Sequence, residues 1–237
     1  MKVGILLTDH VMDELQIKHG DMPDFYEFIF NEVDPSISLE IFDVVKNEYP
    51  EDINECEGYL ITGSRESVYD QIHWIETLKK FVLKLHAQKK PLIGICFGHQ
   101  LIAQILGGIS EEAKVGWTVG NQTYEFKKRF PWSEDDISSI KLLHSHKDQV
   151  TKLPLEATLI ASTKKVPIAM FHIGNHILSH QGHPEFTKEY VFDVATKRRK
   201  ILGEHTYLEA IKNLQKTTPD NKVVAKWWLD FFRFNNQ

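Results

Sequence analysis

The chain has 237 residues, 42% hydrophobic, 26% charged and 11% aromatic, which is enough to bury a large apolar core without disulfide or metal staples. Its 28 Lys and Arg against 33 Asp and Glu give a net charge of −5, a balance that argues against non-specific nucleic-acid binding through phosphate neutralisation. Cys56 and Cys96 are too few for a disulfide framework and match no zinc spacing, and no apolar run reaches the roughly 18 residues of a membrane helix.

The elements read as follows. Val3 to Leu7 is a buried first strand, too short for a signal-peptide core. Asp21 caps a helix from Met22 to about Val33, with Pro23 in its first turn and Phe25, Phe28 and Ile29 on one face. Ile37 to Val45 and Gly58 to Thr62 are the second and third strands. Trp74 to His86 is a helix, Leu92 to Ile95 a fourth strand, and Phe97 to Leu106 a helix closed by Gly107-Gly108. Strands alternating with helices of this length predict βαβ units and a central, mostly parallel sheet.

The second half is richer in strands. Val115 to Phe126 is expected to be interrupted at Gly120-Asn121, and Ile140 to His144, Thr158 to Thr163, Pro167 to Ile173 and His176 to Ser179 are short and rich in β-branched residues. Gly174-Asn175 fits a two-residue hairpin turn. Two helical stretches follow, the last from Asp220 with Val224, Trp227, Trp228 and Phe231 on one face. With no linker or repeat, 1–237 reads as a single domain: a core over 1–200 and a helical extension over 201–237.

The most informative segment is Gly94-Ile95-Cys96-Phe97-Gly98-His99-Gln100. A strand leading through Gly-x-Cys-x-Gly into a helix is the nucleophile-elbow pattern with Cys in place of Ser. The helix N-terminus favours the Cys96 thiolate, and the Phe97 N–H is available as an oxyanion donor. The alternative is a buried structural cysteine. Gln181-Gly182-His183-Pro184-Glu185 supplies what a thiol nucleophile needs: His183 as an exposed base, with Glu185 two residues on to orient it.

These segments resemble the class I (triad) glutamine amidotransferases. Gly94 to Gln100 is similar to that family's nucleophile motif and Gln181 to Glu185 to its His/Glu motif. Leu143 to Val150 resembles its Ser-His-x-Asp-x-Val segment, and Leu60 to Asp70 its oxyanion-strand loop. The resemblance implies a flavodoxin-like α/β fold with an added antiparallel hairpin region. It also implies cleavage of the glutamine side-chain amide through a γ-glutamyl thioester on Cys96. His183 would be acid and base and Glu185 its orienting partner. The N–H groups of Phe97 and the Gly63-Ser64 turn would hold the oxyanion. Gln100 and the Ser145-His146 backbone would contact the substrate. No cofactor or metal is called for. An ammonia acceptor or synthetase would sit on another chain.

One loop departs from the family pattern: Gly63-Ser64-Arg65 stands where Gly-Gly-Pro is usual, so a less rigid loop is expected. This version, with Lys114 to Trp117 and His19 to Asp24, resembles a free-standing subgroup. Some of its members are like GMP-synthetase glutaminase domains and others are γ-glutamyl peptidases. Glutamine hydrolysis leads; a γ-glutamyl peptidase and a catalytically silent binding protein are the alternatives.

The remaining features read blandly. His144 and His146 lack matching metal ligands, and His172 and His176 are expected on a surface. Lys197-Arg198-Arg199-Lys200 is expected to be a solvated helix face. Cys56, between Glu55 and Glu57, reads as structural. The expected location is cytoplasmic, and the expected partner is a small-molecule substrate rather than nucleic acid or membrane.

Overall fold

A computed structural model describes residues 1–132 and 137–236. In chain order the first half comprises β1 (Lys2–Leu7), α1 (Asp13–His19), α2 (Met22–Asn31), β2 (Ser38–Asp43), β3 (Gly58–Ile61), α3 (His73–Ala87), β4 (Leu92–Ile95) and α4 (Phe97–Ile105). The strands β5 (Ile109–Glu112), β6 (Thr118–Phe126), β7 (Ser139–His146), β8 (Asp148–Lys152), β9 (Ala157–Ser162), β10 (Met170–Ile173) and β11 (Ile177–His180) follow. The chain ends with α5 (Lys188–Lys197), α6 (Arg199–Leu202), α7 (Glu204–Lys216) and α8 (Asn221–Asn235).

Among the described residues the main sheet runs β2-β1-β3-β4-β11-β10-β9-β6-β7. From β2 to β11 every pairing is parallel, and β3 and β4 are buried along their whole length, as apolar strands covered on both faces must be. From β11 to β7 the pairing is antiparallel, so the hairpin region continues the same sheet. The α/β architecture read from the sequence is therefore present. α2 and α8 cover one face with Tyr26, Phe30, Trp228 and Phe232, and α3 and α4 cover the other with Ile75, Leu78, Leu101 and Ile102. α5 and α7 pack over β6 and β7 through Val191, Val194, Ala210 and Leu214. The aromatic face of α8 lies in the main core: Trp227, Trp228, Phe231 and Phe232 are all buried.

Several local expectations change. The capping box at Asp21 is present, with Asp24 as its reciprocal partner. α1 and the small sheet β5-β8 have no counterpart in the sequence reading, because α1 buries only Leu15 and neither short strand alternates strongly. β6 runs through Gly120-Asn121 without a break. There the Asn121 N–H donates to Asn213 Oδ1 (2.6 Å), so the polar interruption is where α7 docks. His176 is buried rather than on a surface; its Nε2 lies 3.0 Å from Nδ1 of His86, which stacks against it. No helix among the described residues is long and apolar enough to cross a membrane.

Candidate active site

β4 and α4 place Cys96. The chain leaves the buried strand and turns directly into the helix, and Cys96 carries the turn at φ +49°, ψ −98°. A non-glycine residue there stores about 1–3 kcal/mol of strain and persists only where its surroundings over-determine it. They do: the Cys96 N–H donates to His180 O (3.0 Å), the Gln100 N–H to Cys96 O (3.0 Å) and the Gly98 N–H to Thr62 O (3.3 Å). Gly98 permits the crossing, since a Cβ on it would lie 2.7 Å from Ile61 Cβ.

β11 pairs in register with β4, Ile177 with Leu92 through His180 with Ile95, so the segment leaving β11 emerges beside Cys96. The His183 N–H donates to Leu143 O (2.8 Å) and fixes that segment. Across the Pro184 turn, His183 Nδ1 lies 2.7 Å from Glu185 Oε1, with 3% and 0% of the two side chains exposed. Burial disfavours charge on His183, but the negative charges of Glu185 and Cys96 and the hydrogen bond to Glu185 outweigh it, and the imidazole is held above its ordinary value. The imidazolium is the form this favours for His183. Tyr26 of α2, unanticipated from the sequence, donates its O–H to Glu185 Oε1 (3.1 Å). His183 is thus buried, where an exposed base was expected.

The Gly63-Ser64-Arg65 loop crosses the other side of Cys96. Thr8 Oγ1 donates to Gly63 O (2.9 Å), and the Thr8 N–H to Thr62 Oγ1 (2.9 Å). Arg65 replaces the rigidity of proline by other means. Its N–H and its Nε–H each donate to Asp9 Oδ2 (2.9 Å), and its Nη2 donates to His10 O (2.9 Å). The loosened loop expected from the missing proline is therefore tied down. A Cβ on Gly63 would lie 2.7 Å from His183 Cε1 and 3.5 Å from Cys96 Cβ, so the turn, the thiol and the imidazole meet. The Phe97 N–H, an orphan donor of the first turn of α4, belongs to the same corner.

A cleft with two lobes opens at Cys96. The open lobe, about 390 Å³, is lined by Gln100, Ser145 and His146, with Asp70 and Asp148. The narrow lobe, about 50 Å³, is lined by Gly63, His183, Met22, Phe186 and Tyr190. Ser64, Arg65, Cys96, Ser145 and Arg198 line both. Glu185 lies behind His183 rather than on the cleft. Gln100 is buried and donates to Asp148 O (2.8 Å) and Gln181 Oε1 (3.2 Å), so it braces the open lobe. Arg198, expected on a solvated face, faces the cleft instead. The flanking Lys197, Arg199 and Lys200 are exposed as expected, and only the register of α5 separates them.

Four histidines form the scaffold behind the site, and their neutral tautomers follow from their partners. The Gly182 N–H donates to the Tyr124 hydroxyl (2.8 Å), which donates to His144 Nε2 (2.9 Å). His144 Nδ1–H donates to His146 Nε2 (2.9 Å), and His146 Nδ1–H to Asp148 O (2.8 Å). Trp228 Nε1–H donates to His180 Nε2 (3.0 Å), whose Nδ1–H donates to Gly182 O (2.8 Å). His99 bridges Ser179 Oγ (2.5 Å) and Ile168 O (3.1 Å). Burial holds all four imidazoles neutral, which pushes His99 and His146 down to about 3 and His180 to about 4. The chain from Gly182 to Asp148 couples the segment bearing His183 to the wall of the open lobe.

Residues 22–191 match the family model for glutamine amidotransferase class-I. The chain is similar to gamma-glutamyl peptidase 2 of Arabidopsis thaliana, 32% identical over 201 residues covering 82% of this chain and 81% of that one. It is also similar to a glutamine-hydrolysing GMP synthase of Bacteroides fragilis, 27% identical over 75% of this chain but only 36% of the synthase. The crystal structure of a glutamine amidotransferase from Thermotoga maritima superposes with a TM-score of 0.76 at 20% identity, covering 99% of both chains, which shows a shared fold.

Proposed function

The chain belongs to the class-I glutamine amidotransferase family, and on that premise we propose that it hydrolyses γ-glutamyl amide bonds through a covalent thioester on Cys96. The observation that carries the reading is the buried His183-Glu185 pair, with its Nδ1–Oε1 bond at 2.7 Å, meeting Cys96 at the Gly63 turn and on the narrow lobe of the cleft. The Cys96 thiolate attacks the γ-carbonyl carbon. The oxyanion forms against the N–H groups of Phe97 and of the Gly63-Ser64 turn. His183, as imidazolium, protonates the departing nitrogen; the amine leaves and the thioester remains. His183, now neutral, takes a proton from water as it attacks the thioester, then returns one to the sulfur as glutamate departs. Glu185 orients the ring and stabilises its charged form, and the carboxylate itself keeps its charge. The Ser145-His146 backbone, with Gln100 behind it, receives the glutamyl head.

With glutamine the leaving group is ammonia. A second reading, in which it is the amino group of a peptide, is favoured by a specific feature: the open lobe holds about 390 Å³, more than a glutamyl head needs. The similarity to gamma-glutamyl peptidases over most of both chains supports it too. Both thiols are free, which supports a reducing, cytoplasmic setting. The test is product release from L-glutamine and from γ-glutamylglycine by wild type beside Cys96→Ala. Turnover that depends on Cys96 supports the reading, and the higher kcat/KM identifies the leaving group. Turnover retained in Cys96→Ala would refute it.

A further inference from the structure

Arg198 is a charged side chain of the cleft that the triad chemistry leaves unused. It closes α5 and stands where the two lobes meet, lining both together with Cys96 and Ser145. Its guanidinium lies over the indole of Trp117, 5.7 Å from the ring centroid. That cation–π contact covers one side of the guanidinium. Among the described residues no carboxylate is paired with it. Asp9, which lines the narrow lobe, is taken up by the backbone N–H, Nε and Nη2 of Arg65. In the open lobe, Glu112 is paired with Lys147 (2.7 Å), and Asp148 and Asp70 accept from Ser67 (2.5 and 2.8 Å). Burial, the largest effect, pushes the Arg198 guanidinium below its ordinary value; the titratable groups facing it are Tyr190, Asp9 and Cys96, which favour its charge, with Arg65 opposing them. A half-buried guanidinium without a carboxylate partner, lining both lobes together with Cys96, suits an anion that arrives with the substrate.

Its place along the reaction coordinate identifies that anion. With the glutamyl head in the open lobe and its γ-carbonyl at Cys96, the leaving nitrogen must point toward His183, which protonates it. The atoms attached to that nitrogen then come out at the junction of the lobes, where Arg198 stands. Ammonia brings no charge there; an amino acid or peptide brings its carboxylate. We propose that Arg198, held by Trp117, is a specificity-determining residue that binds the carboxylate of the leaving amino acid or peptide, and that it selects γ-glutamyl peptides over glutamine. This rests on the γ-glutamyl hydrolase reading above.

The experiment compares γ-glutamylglycine with γ-glutamylglycinamide, which differ only in that carboxylate. Affinity is measured by calorimetry on Cys96→Ala, which needs no turnover, and on Cys96→Ala combined with Arg198→Gln. The acid should bind at least tenfold more tightly than the amide, and Arg198→Gln should bring the two within about twofold, with Arg198→Lys restoring part of the difference. In the active background the acid-over-amide ratio of kcat/KM should collapse in the same way. Equal affinity for acid and amide in Cys96→Ala, or a preference that survives Arg198→Gln, overturns the proposal. So does a uniform loss on both ligands, which would place Arg198 on the shared glutamyl head. Wild type that turns over neither compound nor glutamine would instead strike the parent reading, and the binding arms tell the two failures apart.

Discussion

The imidazole of His183 lies flat on the ring of Phe186, with centroids 3.9 Å apart and planes within 3° of parallel. The ring is therefore clamped on one face by packing, while Glu185 fixes its edge. His183→Ala should abolish turnover and also destabilise the fold by about 1–3 kcal/mol, since it empties a buried, packed position. Turnover and urea unfolding of the same preparation check both. A variant as stable as wild type would contradict the packing role.

Tyr26 donates to the same carboxylate oxygen that holds His183, from a fully buried position on α2. Tyr26→Phe keeps the ring and removes the hydroxyl. We expect kcat to fall about threefold to tenfold with KM within about twofold, the signature of a lost positioning bond worth about 1 kcal/mol. A change in KM alone, read from steady-state kinetics, would remove Tyr26 from the triad's support.

A Cβ added to Gly63 would lie 2.7 Å from His183 Cε1, and the clamped ring has little room to withdraw. Gly63→Ala should cost at least about tenfold in kcat, while thermal melting moves only a few degrees. Full activity would mean that the turn and the ring are looser than this contact requires.

Stability should fall with acid. Burial, the largest cause, pushes His99 and His146 down to about 3 and His176 and His180 to about 4, and holds His144 well below its ordinary value. In the unfolded chain each titrates near about 6.5. The stabilisation from keeping them neutral is complete above about pH 6.5. It is lost as pH falls toward 4, because only the unfolded chain takes up the protons, with a slope of up to about 1.4 kcal/mol per pH unit for each group. His10 acts in the opposite sense. Burial pushes it down, but Asp21 and Asp43 outweigh that and raise it, so its share is present below about pH 6.5 and lost as pH rises through the raised value. Unfolding free energies should drop steeply between pH 6.5 and 4.5; a flat profile would contradict the neutral tautomers.

The parallel half of the fold and the convergence of the Cys96 and His183 segments were legible because each segment is written locally. β4 and α4 read directly from an apolar run meeting Gly-x-Cys-x-Gly, and His183-Pro184-Glu185 carries its own turn. What escaped depends on distant partners. Tyr26 looks like one more aromatic on the apolar face of α2, and only the fold brings it to Glu185. Arg198 sits among three exposed cations and is singled out only by the register that turns it into the cleft. The loop at Arg65 looks loosened by the missing proline, whereas Asp9, 56 residues earlier, ties it down. The dense run of histidines suggests a metal or a surface until Tyr124, Asp148, Ser179 and Trp228 supply a neutral partner for each.

The most direct test of the central claim is intact-protein and peptide mass spectrometry of wild type mixed with γ-glutamylglycine and quenched in acid within the first turnovers. A γ-glutamyl adduct on the peptide that carries Cys96, absent from Cys96→Ala, is the predicted result. Cys56 should stay unmodified, since it is buried and its thiol is pushed up to about 11, chiefly by that burial. Turnover without any adduct on Cys96, or an adduct on Cys56, would contradict the assignment of Cys96 as the nucleophile.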